Sequence, residues 1–338
     1  MDKKILRWIF WITLLSAALL GISLFSLCTG PAAIPVKKVF SLLFSASGSS
    51  EQSIIVSIRL PRILLGLAVG GALSLAGVIL QGMFRNPLVE PYTLGISGAA
   101  ALGVCLGIVL RLHRLLGPAV LPLFGFSGAL SVIAMVYILG LKKGTLKIEG
   151  LLLIGVMVSF ITSSLIMLIM ALARSEDLQG IIFWVMGSLQ EPSWLLIKIM
   201  LTASVSLLLI AYFFCLDLNA LSLGEEEALH LGINVEKTKR MLFIIASLLT
   251  GFSVSVAGII GFVGLAVPHF VRLFTGNDHR VLLVGSFLSG AAFLIFCDTL
   301  ARTIIAPLEL PVGVITGIIG GSLFIYTLAK RKITFGER

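Results

Sequence analysis

Long apolar runs separated by short polar segments recur along the whole chain. A run of about 20 apolar residues is enough to cross a bilayer as a helix, so the pattern predicts an all-α polytopic membrane protein with ten spans. Their approximate bounds are 8–28, 60–83, 92–110, 117–141, 147–173, 192–214, 240–258, 260–274, 281–301 and 311–330. The first run is longer than the apolar region of a typical signal peptide. We interpret it as a span, with a cleaved signal peptide or a lipoprotein site at Cys28 as the alternatives.

The composition agrees with this pattern. Hydrophobic residues make up 58% of the chain and charged residues 12%, whereas a soluble domain carries about 25% charged residues. The polar segments are too short for a soluble domain, so we interpret residues 1–338 as a single transmembrane domain. The net charge of +9 comes from short Lys and Arg clusters between the apolar runs, which argues against a nucleic-acid-binding face. The four cysteines are isolated and predict neither a metal site nor a disulfide framework.

The positive charges also predict the orientation. With both termini in the cytoplasm, inner segments receive 16 of the 25 Lys and Arg residues and outer segments receive 9, as the positive-inside rule expects. Six of the nine outer cations are arginine. Because arginine binds carboxylates through two parallel hydrogen bonds, the outer surface is either a docking site for an acidic partner or an anchor for lipid headgroups.

Ionisable residues are nearly absent from the centres of the predicted spans. Asp298 and Arg302, near one end of the ninth span, are four residues apart and would share one helix face as a neutral pair. Ion-coupled carriers usually need intramembrane carboxylates or histidines, and the chain has no GxxxxGK[ST] loop for ATP. We therefore expect a transport subunit that is not itself an enzyme, driven by a separate ATPase. An ion-coupled carrier and a non-transporting scaffold are the alternatives.

The longest polar insert, residues 217–240, separates the sixth and seventh spans. It contains LGEEEALHLGINVEKTKR, which predicts a short helix, a break at Gly232 and a turn leading into the next span. Carboxylates suit the start of this helix. Its apolar side consists of Ala228, Leu229, Leu231 and Ile233. We predict that this side enters a groove on a partner, with a helix lying on the bilayer surface as the alternative. A second short amphipathic helix is predicted on the outer side, at about 178–189.

Several phrases occur in an order that is typical of one transporter family. They are RLPR at 59–62, GGALSLAGVILQGMFRNPLVEPYTLGISGAA at 70–100, LLLIGV at 151–156, EEEALHLGINV at 225–235, GIIGFVGLAVPHFVRLFTGNDHR at 258–280 and LELPVGVITGIIGGSLFIYTLAKRK at 308–332. On these phrases the chain resembles the FecCD-type permease subunits of bacterial ABC importers for iron-siderophores, haem and cobalamin. The first 58 residues match only as a generic first span and outer loop.

The resemblance implies a type II importer fold and a set of partners. Such permeases are homodimers of ten-helix subunits in the cytoplasmic (inner) membrane. Each subunit sits on a cytoplasmic ATPase, which holds ATP and magnesium, and receives substrate from a binding protein outside. The chain itself is expected to bind no cofactor. The resemblance assigns ATPase coupling to Glu225, Glu226, Ala228, Leu229, Leu231, Gly232 and Ile233. It assigns binding-protein docking to Arg59, Arg62 and Arg302, and it gives no role to Arg111 or Arg114.

Small residues at a spacing of four predict close helix packing. We expect Gly66 and Gly70 to pack within the subunit. For the last span we expect the dimer axis or the transport pathway, because the family places its fifth and tenth spans there. The glycines concerned are Gly313, Gly317 and Gly321.

Two further expectations follow from position. The segment entering the fifth span is predicted to be an inner gate, and it comprises Leu146, Lys147, Ile148, Glu149 and Gly150. His269 follows Pro268, which frees a backbone carbonyl, and we expect it to satisfy a backbone group rather than to bind a substrate or a metal.

The preferred substrate class is a ferric siderophore, with cobalamin, haem and molybdate as alternatives.

Overall fold

A computed structural model describes residues 3–32, 34–44, 49–117, 119–142, 145–146, 148–191 and 193–330. Its helices are α1 (Lys3–Cys28), α2 (Val36–Phe44), α3 (Ser50–Ser53), α4 (Leu60–Met83), α5 (Ile96–Val109), α6 (Leu112–Leu116), α7 (Val120–Gly140), α8 (Ile148–Leu172), α9 (Ser175–Val185), α10 (Trp194–Phe213), α11 (Cys215–Leu221), α12 (Glu225–His230), α13 (Val235–Ala257), α14 (Val263–Thr275), α15 (His279–Thr303) and α16 (Val312–Lys330). A π-helix, Ile54–Arg59, joins α3 to α4. Two short strands, β1 (Leu141–Lys142) and β2 (Thr145–Leu146), pair antiparallel before α8.

The prediction of an all-α membrane protein is confirmed. Each of the ten predicted spans corresponds to one helix, namely α1, α4, α5, α7, α8, α10, α13, α14, α15 and α16. Seven helices of the described part of the chain are long and apolar enough to cross a membrane, while three are shorter, at Ile96–Val109, Val263–Thr275 and Val312–Thr327. The predicted amphipathic helix at 178–189 is α9, which begins and ends a few residues earlier.

The links that precede α5 and α14 explain why these two helices are short. The Tyr92 hydroxyl donates to the carbonyl of Ile260 at 2.9 Å and accepts from its N–H at 3.0 Å. Glu90 Oε1 accepts from the N–H of Phe262 at 2.8 Å. Side chains of the link before α5 thus satisfy backbone groups of the link before α14, which is what non-helical backbone requires inside a membrane protein.

The centre of the fold is α4, which is almost wholly buried, whereas α1, α8 and α10 keep most of their apolar side chains exposed. A Cβ atom on Gly70 would overlap the carbonyl oxygen of Gly290 on α15, and one on Gly66 would lie 3.0 Å from Ile295. The prediction that Gly66 and Gly70 pack within the subunit is confirmed, because only glycine allows α4 and α15 to approach this closely.

The helices α4 and α15 run antiparallel and define two ends of the molecule. At one end, the start of α4 meets the end of α15, where Arg62 bonds Asp298. At the other end, Lys4 forms a 3.1 Å ion pair with Asp278, just before α15. Asn219 of the polar insert also bonds Asp278. The start of the chain and the polar insert (217–240) therefore share one end, which we call the insert end.

Candidate functional site

Two arginines converge on one buried carboxylate at the end opposite the insert. Asp298 Oδ1 accepts from Arg62 Nη2 at 2.9 Å and from Arg62 Nε at 3.2 Å. Asp298 Oδ2 accepts from Arg302 Nε at 3.0 Å. The predicted pair between Asp298 and Arg302 is confirmed, and a second guanidinium from α4 completes it.

The guanidinium groups of Arg302 and Arg59 bond the end of α1 and the segment that follows it. Arg302 Nη2 donates to the Ser26 hydroxyl at 2.9 Å. Arg59, at the end of the π-helix, donates to the carbonyl of Leu27 at 2.5 Å and to that of Ala32. Carbonyls at and beyond a helix C-terminus lack intrahelical donors, so Arg59 satisfies the end of α1 and the segment that follows it.

A more accessible carboxylate closes this group of charges. Glu309, in the link between α15 and α16, accepts from Arg62 Nη1 at 2.8 Å and from the Gln190 amide. Burial alone would raise the pKa of Glu309, but the bonds from Arg62 and Gln190 hold it below its ordinary value. The side chain of Glu309 keeps 33% of its surface exposed, and it borders a cleft of about 230 Å³ with Gln190. We call Arg59, Arg62, Asp298, Arg302 and Glu309 the arginine cluster.

The docking role of Arg59, Arg62 and Arg302 stays a prediction, but the structure buries all three side chains. Arg59, Arg62 and Arg302 are 2%, 6% and 3% exposed. They lie at helix ends, as the sequence indicated, but links from distant parts of the chain fold over them. The exposed member of the cluster is Glu309, which the sequence reasoning missed because it lies 247 residues from Arg62 in the chain.

At the insert end, the predicted sequence of helix, break and turn is confirmed. The helix α12 ends at His230, and Gly232 adopts the left-handed region at φ 82°. Asn234 then caps α13 by accepting from the N–H of Lys237 at 3.0 Å. A positive φ favours glycine, which explains the break at this position.

The apolar side of α12 divides into buried and exposed residues. Leu229 and Leu231 are 59% and 64% exposed, whereas Ala228 is fully buried and Ile233 is half-buried. Ala228 therefore packs inside the subunit, which corrects its predicted place on the presented surface. Gly232 is exposed beside Leu231.

Charged and polar side chains brace α12 against α13. Lys239 is 2% exposed, and its Nζ lies 3.1 Å from Glu225 and 3.1 Å from Glu236. Thr238 donates to Asp217 of α11 at 3.0 Å. Glu225 thus has a partner within the chain, while Glu226 remains exposed. The result is a fixed platform that holds Leu229 and Leu231 toward solvent.

The other predicted site residues are separate from these two regions. Lys147 of the predicted gate lies outside the described residues, as do the side chains of Leu146, Ile148 and Glu149; the backbone shows β2 followed by the start of α8. Gly150 is half-buried on α8. The gate stays a prediction.

The glycines of α16 do not form one uniform surface. A Cβ on Gly313 would overlap the carbonyl oxygen of Met186, and one on Gly321 would touch the Phe262 ring at 3.4 Å. A Cβ on Gly317 would meet no atom of the described residues within 4 Å. Gly313 is thus packed within the subunit, and only Gly317 faces open space. A role at the dimer axis or pathway stays a prediction.

Arg111, to which the resemblance gave no role, and His269 have contacts in the structure, while the expectation that His269 satisfies a backbone group stays a prediction. Arg111 forms ion pairs with Glu176 at 3.4 Å and with Asp177 at 3.8 Å. The ring of His269 contacts Phe324 of α16 edge-on, with 5.6 Å between centroids. These contacts place Arg111 against α9 and His269 against α16.

The family model described as the FecCD transport family matches residues 18–330, which is most of the chain. This chain belongs to the FecCD transport family. It is therefore an ABC importer permease, with both candidate sites inside the matched region.

Individual relatives agree with this membership. The Fe(3+) dicitrate transport system permease protein FecD of Escherichia coli is 38% identical, over 94% of this chain and 98% of the relative. The hemin transport system permease protein HmuU of Yersinia pestis is 37% identical, over 82% of this chain and 83% of the relative. The cobalamin import system permease protein BtuC of Halobacterium salinarum is 42% identical, over 84% of this chain and 75% of the relative.

A solved structure also matches the FecCD permease described here. It is a metal-chelate type ABC transporter in an inward-facing conformation, with a TM-score of 0.83 and 30% identity. The match covers 96% of this chain and 99% of the solved one. The architecture described above is therefore that of an ABC transporter permease.

Proposed function

We propose that two copies of this chain form the membrane part of an ATP-driven importer in the cytoplasmic (inner) membrane, with the insert end and both termini in the cytoplasm. The observation that carries the proposal is the braced platform at the insert end. Leu229 and Leu231 are exposed there on an element that Lys239 holds in place. A short helix with apolar anchors fits a hydrophobic groove on a partner. The partner is an ATPase, because the chain has no ATP-binding loop of its own.

The bracing also supplies a route for coupling. A displacement of α12 by the ATPase moves Glu225, and its ion pair with Lys239 passes the displacement to α13. The helix α13 continues to Ala257, beside the link that bonds Tyr92. ATP binding and hydrolysis thus shift the populations of inward-open and outward-open states. The substrate crosses between the two subunits while these states alternate.

At the other end, the binding protein docks on the edge of the arginine cluster. Asp298 holds Arg62 from the buried side, and Glu309 holds it from the accessible side. An incoming carboxylate of the binding protein takes the place of Glu309 on Arg62, since one guanidinium edge binds one carboxylate at a time. Docking therefore exchanges an internal ion pair for an intermolecular one.

The docking proposal has a specific test in Glu309→Gln. This variant removes the competing charge without touching the buried arginines, so the affinity for the binding protein should rise. Glu191→Gln is the matched control, because Glu191 borders the same cleft but bonds the Ser193 N–H instead of Arg62. Equal affinity of wild type and Glu309→Gln would count against the exchange.

For the substrate we propose a bulky iron chelate of the ferric siderophore class. Relatives named for Fe(3+) dicitrate and for siderophores support this choice. Relatives named for hemin and cobalamin have comparable identities, so haem and cobalamin are the competing candidates, with molybdate behind them. Uptake into liposomes that contain all subunits, with the three large ligands offered in turn, decides among them.

The importer itself is tested by co-purification with an ATPase and a binding protein, followed by ATPase assays in nanodiscs. We expect a complex of two permeases and two ATPases whose hydrolysis rises when loaded binding protein is added. Leu231→Glu should abolish association with the ATPase, while Leu308→Glu, the same change at the opposite end on a side chain that is 68% exposed, should not. Transport that continues without ATP but stops without an ion gradient would refute the proposal in favour of an ion-coupled carrier.

A further inference from the structure

A second polar cavity lies at the insert end, separate from the apolar platform. Its volume is about 360 Å³. It lies where α4, α11 and α14 end and α15 begins. The side chains that matter for its chemistry are Arg85, Asn86, Ser222, Arg272, Asn277 and His279. Together with His269, the described lining has four basic residues, and none of its described residues is Asp or Glu.

Arg272 is the unusual member of this wall. It is half-buried on the last turn of α14, and its Nη1 donates to the Gln81 carboxamide oxygen at 2.5 Å. Among the described residues it has no carboxylate within ion-pair distance, in contrast to the buried Arg62 and Arg302. Removing a charge from water is costly unless an opposite charge compensates it. The structure thus leaves a cation without its counter-ion beside an open cavity.

Arg85 adds a second cation to the lining of the cavity. It follows the end of α4 with φ 50°, and its exposed side chain has no acidic partner among the described residues. The carboxylate of Asp278 lies between the lining residues Asn277 and His279 in the sequence. It is already held by Lys4, Arg280 and Asn219, and it does not line the cavity. No described carboxylate therefore neutralises either arginine.

His279 provides an independent sign of an unfilled site. It is 3% exposed. Asn219 donates its amide N–H to Asp278 and so turns its oxygen to His279, where it lies 2.8 Å from Nδ1. The opposite nitrogen, Nε2, is buried without a partner in the described part of the chain. It lies beside Gly82, another wall residue, where an added Cβ would come within 2.8 Å of it.

We propose that this cavity binds a phosphate group. Phosphate carries more acceptor oxygens than a carboxylate, and guanidinium groups bind it bidentately. The two arginines would hold the charge, while the amides of Asn86 and Asn277 supply neutral donors. Because the helices end at this level, the group comes either from a phospholipid headgroup or from a free phosphate compound. The inference is independent of the importer function, since the isolated permease would bind the ligand.

The test measures phosphate binding to the purified full-length chain in neutral detergent by calorimetry, with chloride at equal ionic strength as the reference. Arg85→Gln should weaken binding by roughly ten- to hundredfold, the effect of one charge-assisted hydrogen-bonded contact. Arg272→Gln should do the same, and the exposed Arg85 keeps the test valid if the Arg272 variant does not fold. Lys237→Gln is the matched control, because it removes an exposed cation at the insert end that does not line the cavity.

A second arm distinguishes the two sources. The chain is reconstituted in phosphatidylcholine nanodiscs with or without phosphatidic acid, and native mass spectrometry records the lipid that stays bound. Retention of phosphatidic acid by wild type and not by Arg85→Gln, without inorganic phosphate binding, supports the lipid source. Inorganic phosphate binding that depends on Arg85 supports the free source. Absence of both, or binding that is equal in Arg85→Gln, overturns the proposal. So does loss of ATPase association in both arginine variants with no phosphate effect, since the cations would then serve an acidic group on the ATPase.

Discussion

The arginine cluster makes a quantitative prediction for Asp298→Asn. Asp298 is 2% exposed and accepts three hydrogen bonds from two guanidinium groups. The substitution keeps the shape of the side chain but turns one acceptor oxygen into an amide donor that faces another donor. The cluster holds three cations and two anions, so its net charge of +1 becomes +2. Breaking a buried ion pair by removing one partner costs about 3–5 kcal/mol.

A matched comparison comes from Glu309→Gln in the same cluster. This carboxylate keeps a third of its surface in contact with solvent, where water and salt screen the interaction, so the loss should be about 1 kcal/mol or less. The expected difference between the two variants is at least about 2 kcal/mol, which corresponds to roughly thirtyfold or more in the unfolding equilibrium. Both variants replace a carboxylate with its amide, so the difference in the free energy of unfolding comes from the deeper burial of Asp298.

The assay is reversible unfolding of the purified chain in mixed micelles of neutral detergent and dodecyl sulfate, followed by the fluorescence of its four tryptophans. The free energy of unfolding is compared at low and high salt. The loss in Asp298→Asn should be insensitive to salt, because buried pairs are screened little, while the loss in Glu309→Gln should shrink. If Asp298→Asn loses no more than Glu309→Gln, the cluster is solvated and the reasoning from burial is refuted.

Three further predictions follow from single contacts. Gly70→Ala should lower the free energy of unfolding by about 1–3 kcal/mol, because the new Cβ overlaps a carbonyl oxygen on α15. Gly317→Ala should be neutral, because its Cβ meets no described atom within 4 Å, and equal losses would contradict the packing argument. The pKa of Glu309 lies below its ordinary value of 4.5, so its ion pair stabilises the fold above that pH and is lost as the pH falls through the lowered pKa. Thermal midpoints measured below about pH 4.5 should therefore fall less steeply with decreasing pH in Glu309→Gln than in wild type. Parallel curves for the two proteins would exclude this contribution. Lys239→Met should release α12 from α13, seen as faster hydrogen exchange over residues 225–231, whereas Lys237→Met should leave that exchange unchanged; unaltered protection in both would mean that apolar packing alone holds α12.

Local patterns predicted the parts of this fold that depend on neighbours in sequence. The ten spans follow from hydrophobic runs, since a helix in lipid satisfies its own backbone groups. The break after α12 follows from Gly232, whose positive φ suits glycine. The pairing of Asp298 with Arg302 follows from their spacing on one helix. Each of these features needs only a few consecutive turns of chain.

Features that arise from contacts between distant segments could not be predicted from the sequence. Arg62 lies 236 residues from Asp298 and 247 from Glu309, so nothing near Arg62 in the sequence indicates that it is buried or shared. The shortened helices α5 and α14 likewise depend on the contact between Tyr92 and Ile260. The links themselves contain apolar residues, so the hydrophobic pattern predicts spans that begin before the observed helices.

By itself, the sequence determined that the chain crosses the membrane, which turns interrupt it, where its polar insert lies, and which family it belongs to. These depend on local hydrophobicity, on backbone preferences and on recognisable phrases. Only the tertiary structure decided that Ala228 faces inward while Leu231 faces solvent, and that Glu309 rather than the arginines is accessible. It also decided that Arg272 borders a cavity with no described carboxylate as its counter-ion. The physical reason is that burial and charge compensation depend on which distant segments come together, and a one-dimensional pattern does not record those contacts.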